Sequence, residues 1–112
     1  MKKPLRYRLL DVQSAGQDAL RVLEQLDSGH PDNRWLRLAI ERLMITVGEA
    51  VSQLPPELLK REPTVDWSRV TGIRHVLVHD YDGVDQERVL NAVRHHLPAT
   101  LDAIERLLAE EL

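Results

Sequence analysis

The stretch "WSRVTGIRHVLVHDY", residues 67–81, reads as a single helix with apolar residues around most of its circumference. With Val70 at zero, Leu77 falls at about −20°, Tyr81 at about +20°, Ile73 at about −60° and Trp67 at about +60°. Arg74 lands at about +40°, inside this apolar stripe, while His75 at about 140° and His79 at about 180° lie across the helix with Val76. An ordinary surface helix keeps one face apolar and the other polar, and this one is not built that way. Asp66 is a good N-cap for it, and "DGVD" (82–85) breaks it.

The rest of the chain repeats the helical period. From Arg6 to Leu26, Leu9, Val12, Gly16, Ala19, Leu20 and Leu23 keep the three-and-four spacing of one inward stripe. "DSGHPDN" (27–33) stops that helix: Gly29 suits the left-handed C-terminal position, and Pro31 with Asp32 prepares the next start. A second helix is predicted over 32–54, with Leu36, Ala39, Ile40, Leu43, Val47, Ala50 and Val51 inward. "LPPELLKREPTVD" (54–66), with three prolines, is a connection that has room for one short turn of helix. Asp85 caps a fourth helix over 86–111, which Pro98 kinks, or ends and restarts, because it lacks a backbone donor and clashes with the preceding turn. Strand signals are absent. The expected fold is all-α, an antiparallel bundle of four main helices with room for a fifth short one, forming one domain over 1–112.

Composition narrows the function classes. The 15 Lys+Arg against 18 Asp+Glu give a net charge of −3, without the dominating basic face of a protein that coats nucleic acid. Such a balance still permits a local grip on one phosphate. With two Trp, two Tyr and no Phe, base-stacking platforms are not expected. No cysteine is present, so disulfides and thiolate metal sites are excluded. "MKKPLRYRLL" (1–10) lacks the apolar run of a signal peptide, and no segment nears the roughly 18 apolar residues that span a bilayer, so a cytoplasmic location is expected.

The polar residues of the third helix carry the chemistry. Arg74 cannot lose its proton, so burying it requires a partner charge. One partner is a carboxylate from another helix, and Glu49 in "ITVGEAV" (45–51) is the evident one, since Gly48 beside it lets two helices approach closely. The other is a phosphate, which a guanidinium holds bidentately. Both hold if Glu49 orients Arg74 from behind. His79 is either satisfied by a local partner or titrates near neutral pH as a proton-transfer group. His75 and His79 stand four apart, as metal ligands on one helix face can, but beyond Asp82 no third ligand is evident, and neither metal nor cofactor is expected. Arg94, His95 and His96 read as helix surface or an interface rim.

Arg74-x4-His79-x-Tyr81 resembles the R-x4-H-x-Y motif of the HepT-like toxins, a branch of the HEPN superfamily of small all-helical ribonucleases. "AIERLMITVGEAVSQLP" (39–55) is similar to the second helix of that family, including its Gly-Glu-Ala segment. Trp67 seven residues before Arg74, then "VDQERV" (84–89) and "HHLPATL" (95–101), follow the family's order, so the likeness covers about residues 34–106. Many members carry a small polar residue after the arginine, where this chain has His75. The resemblance implies metal-independent RNA cleavage, with the ribose 2′-hydroxyl as nucleophile, Arg74 as phosphate clamp and His79 as general acid or base. It also implies a homodimer whose two motifs share a cleft, which would relieve the divergence of about 140° between Arg74 and His79 on one helix. Tyr81 is the position matching the family's AMP acceptor, modified by a cognate minimal nucleotidyltransferase antitoxin. From the residues alone, Tyr81 also reads as a core tyrosine with a wet hydroxyl. Two further readings stand beside the ribonuclease: a non-catalytic regulatory subunit that partners a nucleotidyltransferase, and a structural helical dimer whose polar trio fixes packing.

Overall fold

A computed structural model describes residues 3–29 and 32–110, with the side chain of Tyr81 outside that description. Six α-helices follow one another: α1 (Leu5–Asp27), α2 (Arg34–Ser52), α3 (Pro56–Leu59), α4 (Trp67–His79), α5 (Gln86–His95) and α6 (Leu97–Glu110), with a 3-10 turn at Tyr81–Gly83. Among the described residues there is no strand, and no helix is long and apolar enough to cross a membrane.

The helix ends follow from local chemistry. Gly29 takes φ +125° just past α1, where a side chain would be strained. The Asn33 side chain accepts from the Leu36 N–H at 3.1 Å, so α2 starts at Arg34, two residues later than expected. Pro31 lies outside the described residues, and so does Glu111, the expected end of the last helix. The anticipated short turn after α2 is α3, with Pro56 in its first turn. The predicted fourth helix divides. Its first half closes with the His96 N–H on Ala92 O, and α6 opens with the Thr100 N–H on His96 O. Pro98 sits in the first turn of α6, where a missing N–H costs nothing. A long final helix is thus corrected to two, and α4 ends at His79, not Tyr81.

Helices α1 and α2 form a hairpin, and α5 and α6 pack back onto α1. The core between them includes the fully buried Leu9, Val12, Ile40, Val47, Ile104 and Leu107, each contributing about 1.5–3 kcal/mol by burial. Leu20, Leu36 and Leu43, expected inward, are half-buried at the margin of that core.

Helix α4 packs chiefly on α2. Contact there depends on Gly48: a Cβ at that position would collide with Arg74 Cβ and lie 3.1 Å from Val70 O. The start of α4 is fixed separately. Trp67 Nε1 donates to Leu59 O and Glu62 O, both at 3.1 Å. Glu62 in turn accepts from Arg106 of α6 at Nε (3.0 Å) and at a terminal nitrogen (2.7 Å), a two-pronged pair.

Gly48→Ala forces α2 and α4 apart; overpacking of about 1–3 kcal/mol outweighs the helix-propensity gain of up to about 1 kcal/mol. Thermal unfolding should show a Tm lower by several degrees, at about 4 °C per kcal/mol for a chain this size. An unchanged Tm would mean the helices separate freely. The Arg106 hydrogen bond holds the Glu62 carboxyl below its ordinary 4.5. That stabilisation is present above 4.5 and fades as pH falls toward the lowered value. Arg106→Gln should therefore be less stable than the parent at neutral pH, the two Tm values converging in acid; a constant gap would refute this.

Candidate active site

The site is organised along α4. Asp66 caps the helix, accepting the Arg69 N–H at 3.1 Å and the Ser68 hydroxyl at 2.7 Å. Those bonds, the hydroxyl first, hold its carboxyl below the ordinary range. One turn on, Val70 and Leu77 turn inward, and Arg74 lies in the same stripe, half-buried.

Arg74 Nε is buried and lies 3.1 Å from Glu49 Oε2. The two groups meet as an ion pair without hydrogen-bond alignment. This is the pairing expected from "ITVGEAV", and Gly48 is what lets it form. The pair is not sealed: the Arg74 side chain keeps 35% of its exposure and Glu49 keeps 50%. Both line an open groove of about 430 Å³ between the start of α1, the second half of α2 and α4. A guanidinium held on one edge and open on another keeps donors free for an anion.

His79 lies elsewhere. It is exposed on the outer side of α4, its ring centroid 4.8 Å from that of His75. His79 does not line the Arg74 groove, so one protomer does not bring the two residues into one cavity. Val76 (40%) and Val78 (39%) of α4 are also exposed. Although this helix is apolar around most of its circumference, within the described residues its chief packing is on α2 alone. Tyr81 follows at the start of the 3-10 turn; its side chain, and hence its expected role, lies outside the described residues. No group of three or more His, Cys, Asp or Glu among the described residues is placed to hold a metal.

Two features escaped the sequence. The "RHH" segment is not merely a solvated surface: Arg94 pairs with Asp27 of α1 at 2.9 Å, and Arg69 lies 3.0 Å from His96 Nε2, joining α4 to the α5–α6 break. The groove also gathers Lys3, Arg8 and Arg42 beside Arg74. No spacing rule could have found that group, since its members come from the segment before α1 and from three separate helices; a count of basic residues by predicted helix face gives the nearest signal.

Comparison with known proteins agrees with the motif. The family described as ribonuclease HepT-like matches residues 13–107. "Putative RNase MJ0125" of Methanocaldococcus jannaschii is 24% identical, covering 97% of this chain and 95% of its own. "Putative RNase MJ0127" of the same organism is 26% identical over 97% and 91%. "Probable ribonuclease HepT" of Thermococcus cleftensis is 27% identical over 63% and 64%. No solved structure matches the chain significantly. With the family covering all six helices, apart from the first turns of α1 and the last residues of α6, the chain belongs to the ribonuclease HepT-like family.

Proposed function

We propose that this protein is a metal-independent endoribonuclease acting as the toxin of a toxin–antitoxin pair. In this reading Arg74 binds the scissile phosphate and neutralises charge as the transition state forms, while His79 moves the proton. The ribose 2′-hydroxyl gives up its proton, its oxygen attacks phosphorus, and the 5′-oxygen leaves and is protonated. A 2′,3′-cyclic phosphate and a 5′-hydroxyl result, with no external nucleophile consumed. Positioned proton transfer contributes about 10²–10⁴-fold, and a fixed cation at the developing charge contributes at least comparably.

The observation that carries this reading is the half-open Arg74–Glu49 pair. Glu49 fixes the guanidinium on one edge, and the groove gives an anion access to it. The separation of Arg74 from His79 calls for a second copy. Homodimerisation over the outer side of α4 would cover Val76 and Val78 and place His79 of one protomer toward a cleft shared with its partner. One observation favours the runner-up, a regulatory subunit without nuclease activity that partners a nucleotidyltransferase: Glu49 already supplies Arg74 with a counter-charge. Regulation follows from Tyr81. An AMP attached there by a cognate minimal nucleotidyltransferase would place a phosphodiester two residues from His79, where it competes with RNA for the cation.

Purified protein in EDTA should cut mixed cellular RNA to cyclic-phosphate ends, and folded Arg74→Ala and His79→Ala variants should each lose at least about 10²-fold in rate. Cleavage that persists in both variants refutes the assignment; inactivity of the parent together with a tight transferase complex selects the regulatory subunit. After co-expression with the cognate transferase, intact mass should show AMP on the parent and none on Tyr81→Phe. An adduct surviving in that variant removes the switch.

A further inference from the structure

The groove that Arg74 opens onto carries more positive charge than the proposed chemistry uses. Four cations line it: Lys3 just before α1, Arg8 in the first turn of α1, Arg42 from α2, and Arg74 from α4. Two carboxylates, Asp11 and Glu49, face them. Lys3 pairs with Asp11, and Arg74 with Glu49, so those charges are matched. Arg8 has no carboxylate partner among the described residues. Among the described residues, Arg42 donates only to the uncharged Thr46 hydroxyl, at 2.8 Å. Two uncompensated arginines from adjacent helices thus face one groove in a chain whose net charge is −3. Their convergence follows from the hairpin, which sets the start of α1 beside the second half of α2.

Spacing gives the arrangement a direction. Arg42 lies seven residues before Glu49 on α2, about 10 Å along the helix axis. The 3.4 Å rise of a stacked strand is measured along its axis, and its successive phosphates stand farther apart, about 6 Å, so that interval accommodates about two. Apart from Ile45 and Ala50, the lining offers charge and hydrogen bonding, with no aromatic ring for a base to stack on. Such a surface suits phosphate and sugar and does not read bases.

We infer that Arg8 and Arg42 form a phosphate track that holds the backbone of single-stranded RNA on one side of the scissile position and leads it to Arg74. The inference rests on the ribonuclease reading for the identity of its ligand, and it assigns these two arginines to substrate positioning, not to bond cleavage. Arg8 and Arg42 matter for a long substrate; a dinucleotide that reaches only the cleavage pair does not engage them.

The test uses the Arg8→Gln/Arg42→Gln double variant, with Arg21→Gln as control, because Arg21 pairs with Asp18 outside the groove. Unchanged unfolding midpoints establish that both remain folded. Binding of a short single-stranded RNA with fully 2′-O-methylated riboses, which cannot be cut, is followed by anisotropy over a salt series. The double variant should bind about tenfold more weakly or worse at low salt, and its slope of log K against log salt should fall by about 1.4, about 0.7 for each lost phosphate contact. The control should match the parent. Cleavage of long RNA should show a raised KM in the double variant, with dinucleotide cleavage unaltered. Binding and slope equal to the parent's would overturn the track while leaving the ribonuclease intact. So would displacement of the RNA from the parent by polyglutamate as effective as by unlabelled RNA, which would mark the groove as a seat for an acidic protein. A parent that binds through these arginines but cuts nothing retains the track and removes the nuclease.

Discussion

Everything at the site depends on how closely α2 and α4 can approach at Gly48. Without a side chain there, the Arg74 Cβ and the Val70 carbonyl come against the α2 backbone, and the next residue along α2 is the carboxylate that Arg74 needs. Had the helices been held farther apart, Glu49 and Arg74 would each face solvent and the guanidinium would sample many rotamers. The seam converts a flexible cation into a fixed one. Under the proposed ribonuclease reading that counts, because a preorganised charge spends no energy on reorientation as the reaction proceeds.

The fold was largely written in the periodicity. Apolar residues recur with helical spacing through every long element, and Asp66 and Asp85 mark two helix starts as read, through side-chain oxygens that accept backbone N–H groups, whereas α2 is capped by Asn33 instead of starting at Asp32. Pro98 announced an interruption but not its form. Whether a proline kinks a helix or restarts it depends on how the flanking turns pack, and here α5 and α6 each find their own place against α1.

The candidate site was legible to the extent that it is local. A carboxylate within "ITVGEAV" and an arginine within an apolar stripe invite pairing, and they pair. The spread of Lys3, Arg8 and Arg42 over the approach to α1, α1 itself and α2 hid their convergence, because the register between helices is not encoded in the spacing along either one. The relation of Arg74 to His79 is less legible still. One helix projects them in divergent directions, so anything that unites them is supplied by a surface outside the chain.

Helix α4 has one substantial neighbour, whereas α1, α2 and α6 share a common interior. Elements with few packed contacts open at a lower free energy than the core they lean on. The hairpin and its partners therefore constitute the durable part of the molecule, and the helix bearing the arginine and both histidines is a detachable stave. Its amide protons should be among the first to exchange, and the integrity of the cationic centre is governed by that modest local equilibrium, well before the barrel of helices as a whole gives way.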